Sequence, residues 1–257
     1  MRILVTNDDG IHAPGLVALE EIAAELSDDV WIVAPETDQS GVSHSVSLND
    51  PLRLRQIEER RFAVRGTPTD CVLMGVRHIL RDGPPDLVLS GVNRGHNIGE
   101  DVIYSGTVAG AMEGTMLGIA SIALSQAYSR AEPIERAFGC AITHGPGVVR
   151  KVIEAGIPHD RLVNINFPAC EPQDVTGIEV TRQGKRRQEF ARIDARVDGR
   201  ANPYFWIVYG GASTETDEGT DVHAMTLRRI SITPLQLDLT DGPYRERLAD
   251  AFSRAFA

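Results

Sequence analysis

Five short apolar runs punctuate this chain: Ile3 to Thr6, Val30 to Ala34, Asp86 to Ser90, Ile119 to Ser125 and Leu162 to Phe167. Helical patterns lie between most of them. Runs this short suit buried strands, and their alternation with helices predicts an α/β fold built on a largely parallel sheet covered on both faces. One departure lies between Leu52 and Gly66. There Leu52-Arg53-Leu54-Arg55 alternates and Phe62-Ala63-Val64 returns after a charged turn, as an inserted, peripheral hairpin would.

Past about Glu179 the texture changes. Gly184-Lys185-Arg186-Arg187 and a polar stretch to Ala201 lead into Tyr204 to Tyr209, then into Arg229 to Leu239, which alternates as a strand. These segments predict hairpins, not βαβ units. Tyr244, Leu248, Phe252 and Phe256 come next at intervals of four, one apolar stripe on a terminal helix that must pack on its own domain or on a partner subunit. The expected organisation is an α/β core over 1–180, with the hairpin inserted at about 52–66, and a hairpin-and-helix extension over 181–257.

The first run stops at Asn7-Asp8-Asp9-Gly10. Asn, Asp and Gly are also the commonest turn formers, and Asp-Gly signals a hairpin. No returning strand comes after Gly10, however: Leu16, Leu19, Ile22, Ala23 and Leu26 recur at helical spacing beyond Ala13-Pro14-Gly15. The unit is strand, loop, helix. Neighbouring side chains on a strand face opposite ways, so Asp8 and Asp9 converge on one ligand only if the backbone bends, which Gly10 permits.

Two more strands end in the same manner. The second runs into Pro35-Glu36-Thr37-Asp38-Gln39-Ser40-Gly41, and the third into Gly91-Val92-Asn93-Arg94-Gly95-His96-Asn97. If the strands are parallel neighbours, all three loops leave at one sheet edge, where open α/β sheets bind ligands. Taken singly, Ser40 and Asn93 read as ordinary loop residues; joint placement marks them. Asp8, Asp9, Ser40 and Asn93 offer only oxygen donors, which suit a hard divalent ion such as Mg²⁺, Mn²⁺ or Ca²⁺ and lack the imidazole or thiolate that zinc favours. Tyr104-Ser105-Gly106-Thr107 then opens a helix of small residues. Its free N–H groups sit at the positive end of the dipole, a natural phosphate seat, although Ser105 or Thr107 also reads as a plain N-cap.

Cys71 and Arg77 mimic the Cys-x5-Arg spacing of thiol phosphatases. Thr67-Pro68-Thr69-Asp70 instead makes a capping-box helix start, which puts Cys71 inside a helix. His12, His44 and His96 fall in the loops and read individually as loop or supporting residues, each capable of shuttling protons. No Walker A loop is present, and no GxGxxG comes after the first strand, so ATP or dinucleotide use is unsupported.

A formal charge of -10 argues against a protein that lives on nucleic acid, since such binding rests mainly on basic residues. Three cysteines without a CxxC suggest reduced thiols in a cytoplasmic chain, and no apolar stretch approaches a membrane span or a secretory signal.

In sequence order these segments resemble the SurE family, stationary-phase survival proteins that are metal-dependent 5′-nucleotidases. The resemblance is carried by Asn7-Asp8-Asp9-Gly10 with Ala13-Pro14-Gly15, Ala34-Pro35 with Ser40-Gly41, Gly66-Thr67-Pro68-Thr69-Asp70-Cys71, and Ser90-Gly91-Val92-Asn93 with Gly95 and Asn97. It continues through Asp101, Tyr104-Ser105-Gly106-Thr107-Val108, Glu113-Gly114, Asn164-Ile165-Asn166 and Ser231-Ile232-Thr233-Pro234-Leu235. Gly110 departs from the family's usual alanine, and Lys185 to Ala201 and Gly211 to Val222 match no family pattern.

The resemblance implies a Rossmann-like three-layer core and one divalent ion per subunit held by Asp8, Asp9, Ser40 and Asn93. It also implies hydrolysis of nucleoside monophosphates and a C-terminal part used to build a homodimer or homotetramer. On that footing Asn97, Ser105, Gly106 and Thr107 would hold phosphate oxygens while Asp8 and Asp9 do the catalytic work, with 3′-nucleotides and polyphosphate as further substrates. Rival readings are an aspartyl-phosphate enzyme, whose two aspartates usually stand one residue apart, a zinc deacetylase, which needs histidine ligands, and a nucleotide-binding regulatory module without turnover.

Overall fold

The computed structural model of this chain describes residues 1–128, 137–185, 191–209 and 217–255. Arg186, Arg187 and Phe256, which belong to the sequence patterns of the C-terminal segment, lie outside the described residues.

Each apolar run becomes a strand of one sheet: β1 (Arg2–Thr6), β2 (Asp29–Pro35), β5 (Leu87–Arg94), β6 (Ala120–Gln126) and β7 (Arg161–Phe167). β1 lies between β2 and β5 and is parallel to both, with Ile3 opposite Val30 on one side and Leu87 on the other. β6 and β7 extend the parallel set beyond β5. The hairpin of β3 (Arg53–Glu58) and β4 (Arg61–Arg65) forms the far edge, with β4 parallel to β2. Beyond β7 the sheet closes with β11 (Arg229–Gln236), antiparallel to it, and β8 (Gly177–Val180). The order across nine strands is β3-β4-β2-β1-β5-β6-β7-β11-β8.

Strand alternation assigns the two faces. Ile3, Val5, Leu87 and Leu89 pack under α1 (Pro14–Ala24) and α5 (Gly139–Ala155), through Leu16, Leu19, Ile22, Val148 and Val149. Leu4, Val33 and Val88 face the other way, against Cys71, Val72 and Val76 on and just after α2 (Pro68–Met74). On that same side Val108 and Ala111 of α4 (Gly106–Met116) meet Ala123 and Leu162. The result is the three-layer α/β/α sandwich that the alternation predicts.

The C-terminal segment contributes in two ways. β11 enters the main sheet, where its consecutive Ile230 and Ser231 are both buried, one on each face. Among the described residues β9 (Ala191–Val197) and β10 (Pro203–Tyr209) instead pair only with each other and expose Phe205, Trp206 and Ile207. α7 (Gly242–Ala255) carries Tyr244, Leu248 and Phe252 on an exposed face. No helix among the described residues is long and apolar enough to cross a membrane.

Candidate metal and phosphate site

The edge where β1, β2 and β5 end is held together by the loops themselves. Asn7 closes the first loop from within: its amide nitrogen donates to the Gly10 carbonyl (3.0 Å), and its amide oxygen accepts from Gly10 N (3.3 Å). Gly10 adopts φ +104°, a conformation that a side chain would strain. With the ring closed, Asp8 and Asp9 are both delivered to the sheet edge. The second loop is stitched to the first by Gln39 N donating to the Asp8 carbonyl and Ile11 N to the Pro35 carbonyl, both at 2.8 Å. The third joins through Arg94 N, which donates to Asp9 Oδ2 at 3.2 Å.

Helix α4 approaches from the opposite face of the sheet. Ser105, its N-cap, accepts from Val108 N (3.0 Å), and the Thr107 hydroxyl donates to Asp8 Oδ1 (2.6 Å). Gly106 makes this approach possible, because a Cβ there would stand 2.8 Å from the Asp8 Cβ. The backbone N–H groups of Gly106 and Thr107 therefore lie in the open first turn, beside a carboxylate, with no acceptor inside the helix.

The electrostatics are those of a site short of positive charge. Asp8 is 4% exposed, and burial, then the negative charge of Asp9, push its carboxyl up to about 7; the Thr107 hydrogen bond pulls the other way. Asp9 is raised as well, mainly by burial, against the backbone hydrogen bond from Arg94. Asp38 adds its negative charge to both. Two carboxylates whose ionised forms are penalised in one desolvated corner invite a cation, which would restore them. Ser40 Oγ donates to Asp38 Oδ1 at 2.6 Å, and the Asn93 amide nitrogen donates to the Gly95 carbonyl at 2.8 Å, which leaves the Asn93 amide oxygen as its end available to a metal. Among the described residues no three His, Cys, Asp or Glu side chains converge, so a cation at Asp8 and Asp9 would need the hydroxyl and amide oxygens too. That donor set fits a hard divalent ion.

Asn97 sits behind the site in a buried polar net. Its backbone N–H donates to Asn166 Oδ1 (2.8 Å), its carbonyl accepts from the Asn164 and Asn166 amides (2.8 and 3.1 Å), and its own amide donates to Ser125 Oγ (2.8 Å). Asp221, on α6 (Asp221–Thr226), accepts from Gly99 N (3.0 Å) and pins the far end of the same loop from the C-terminal segment.

Two residues that the sequence patterns do not mark emerge at the edge. Asp38 adds charge and orients Ser40; the Asp-x-Ser spacing of a side-chain-stabilised turn is its one local signal. Arg94 lines, with Asp9, Asp38, Ala13, Pro14 and Phe138, a cavity of about 170 Å³. His44 is drawn away into a pair with Glu113 (2.9 Å). Cys71 is inside α2, behind a complete Thr67–Asp70 capping box, and burial holds its thiol well above the usual range, which removes the thiol-phosphatase reading. A larger cavity of about 520 Å³ is lined by Val152, Ile157, Leu162, Ile232 and Pro234. It lies at the amino end of β7, the edge opposite the aspartates, and offers no carboxylate or hydroxyl for a metal.

Comparison with known proteins bears on the whole chain. The family model described as Survival protein SurE matches residues 3–190. The chain is 66% identical over 252 residues to a protein of Methylorubrum extorquens named 5′-nucleotidase SurE, covering 98% of this chain and 99% of that one. It is also 66% identical over 253 residues to the protein of the same name in Methylobacterium radiotolerans, covering 98% and 100%. Among solved structures, the SurE protein from Aquifex aeolicus superposes with a TM-score of 0.80 at 42% identity, over 94% of this chain and 95% of that one.

Proposed function

This chain belongs to the SurE family, and on that premise we propose that it is a 5′-nucleotidase, hydrolysing nucleoside 5′-monophosphates to nucleoside and inorganic phosphate with one divalent cation per subunit. The observation that carries the reading is the juxtaposition at Asp8: a carboxylate 4% exposed and pushed up to about 7, hydrogen-bonded to the first turn of α4. A cation site and a helix N-terminus that accepts anions lie side by side, as a phosphomonoester needs.

Asp8, Asp9, Ser40 and Asn93 hold the ion. When bound, the cation neutralises charge on the phosphoryl group and lowers the pKa of water. Asp8 is fixed by Thr107 and anchors; Asp9, less enclosed, also accepts a hydrogen bond from the attacking water and orients it. The Gly106 and Thr107 N–H groups take phosphoryl oxygens, preorganised by the helix for the charge that builds there. Asn97 keeps one amide N–H after bonding Ser125, and Ser105 keeps its O–H, so each retains a donor for the same oxygens. Every one of these contacts is to phosphate, which supports the broader expectation of activity on 3′-nucleotides and polyphosphate.

Assembly into a homodimer or homotetramer is supported by two exposed apolar features, the α7 stripe of Tyr244, Leu248 and Phe252 and the β9–β10 hairpin with Phe205, Trp206 and Ile207. The free Cys71, Cys140 and Cys170 support a reducing, cytoplasmic setting. The deciding experiment is phosphate release from AMP in the presence of Mn²⁺, with and without excess chelator. Multiple turnovers that the chelator stops support the nucleotidase; AMP binding without phosphate release would establish a regulatory binding module instead.

A further inference from the structure

Between Asn93 and Gly95, at the end of β5, stands one residue to which neither the metal set nor the phosphate set gives a role: Arg94. It lines the small cavity whose other walls are Asp9 and Asp38 on the side of the cation site and Ala13, Pro14 and Phe138 on the apolar side. Among those lining residues it is the only cation. Its backbone N–H is spent on Asp9 Oδ2; among the described residues its guanidinium forms no ion pair, acts on the Asp9 carboxyl only through space, and lies against the ring of Tyr128, with Cζ 6.0 Å from the ring centroid. A guanidinium laid against an aromatic face is held in place while its N–H edge stays open.

Charge balance asks for such a group. Asp9 and Asp38 bring two negative charges to the cavity, and a phosphate monoester carries nearly two more at neutral pH. A divalent cation offsets half of that sum. We infer that Arg94 is the side-chain cation that contacts the phosphoryl group of the substrate, reaching it from the cavity side while the first turn of α4 reaches it from the other. This assignment rests on the nucleotidase reading and adds to it a substrate-contacting residue. Arginine suits the place because its planar fork can donate two parallel hydrogen bonds to a phosphoryl group and it never loses its charge. The guanidinium gains most when negative charge accumulates on the phosphoryl oxygens, so its contribution is larger in turnover than in ground-state binding.

The test compares wild type with Arg94→Gln and Arg94→Lys in three measurements: Mn²⁺ affinity without phosphate, inorganic phosphate affinity of the Mn²⁺-loaded protein, and kcat and KM for AMP. Arg94→Gln is expected to weaken phosphate binding roughly 10- to 100-fold, as for a lost charge-assisted hydrogen bond, and to lower kcat/KM about 100- to 1,000-fold, with much of the loss in kcat. Mn²⁺ affinity stays within threefold or tightens, because a neighbouring positive charge is gone. Arg94→Lys recovers part of the phosphate affinity but not the full kcat. Phosphate affinity and kcat/KM within threefold of wild type in Arg94→Gln would overturn the assignment while leaving the nucleotidase intact. Arg94-dependent phosphate binding in a wild type that releases no phosphate from AMP would uphold the assignment and overturn the nucleotidase.

Discussion

Asp8 makes the pH dependence of stability a direct probe of the site. In the metal-free protein its carboxyl titrates near 7, against 3.8 when the chain is unfolded and solvated. Between those values the folded state holds a proton that the unfolded state has released, so unfolding releases it and stability falls as pH rises. The stabilisation is complete below about pH 4, declines through the interval and is gone above about pH 7. A difference of about 3 pKa units corresponds to about 4 kcal/mol. Asp8→Asn keeps the shape and can still accept from Thr107, but it does not ionise.

The stability difference between variant and wild type is therefore expected to grow, in favour of the variant, by about 4 kcal/mol from pH 4 to pH 8. Urea unfolding in excess chelator at half-unit pH steps measures it. The raised carboxyls of Asp9, Glu20 and Asp221 tilt both curves in the same direction and cancel in the difference, apart from Asp9, whose repulsion of Asp8 the variant also removes. At pH 8, Mn²⁺ at a hundred times its Kd should restore about 2.7 kcal/mol to wild type and almost nothing to Asp8→Asn. A variant-minus-wild-type difference that stays flat within 1 kcal/mol across that range would refute the placement of an ionisable Asp8 in a desolvated site.

The same geometry gives three further outcomes. Thr107→Val removes the 2.6 Å hydrogen bond to Asp8, which is expected to weaken Mn²⁺ binding about 10-fold and to move its pH midpoint upward, read by titration calorimetry. Asn166→Leu strands the buried N–H of Asn97 and removes one of the two donors to its carbonyl, and a loss of about 1–3 kcal/mol in urea unfolding is expected. Gly106→Ala drives a methyl into Asp8, so kcat/KM for AMP should fall by roughly 100-fold with an unchanged far-UV circular dichroism spectrum, the cost of a displaced catalytic group.

How far the sequence reveals this molecule depends on a physical boundary. The parallel strands, the turn at Gly10 and the capping box ahead of Cys71 depend on residues close in the chain, and their patterns are visible directly. So is the inserted hairpin, though its β4 takes a place beside β2 that alternation alone does not assign. That the loops after β1, β2 and β5 share one edge is legible because parallel strands deliver them there. The Asn166 clamp on Asn97 and the Thr107 bond to Asp8 span 69 and 99 residues, and no local pattern encodes such pairings. Asp38 and Arg94 sit inside the strand-end loops but look like loop polarity until the cavity between them is formed. β11 reads as a strand, yet its place next to β7 depends on a chain reversal that only the folded sheet reveals.

The proposed site has Asp8, Asp9, Ser40 and Asn93 holding one divalent cation beside a phosphate seat. Its most direct measurement is Mn²⁺ binding by calorimetry to wild type and to Asp9→Asn at pH 8, with no nucleotide present. One ion per chain is expected in wild type, with at least a 100-fold weaker affinity in the variant, a loss of about 3 kcal/mol or more for a charged ligand. Equal stoichiometry and affinity in the two proteins would contradict it.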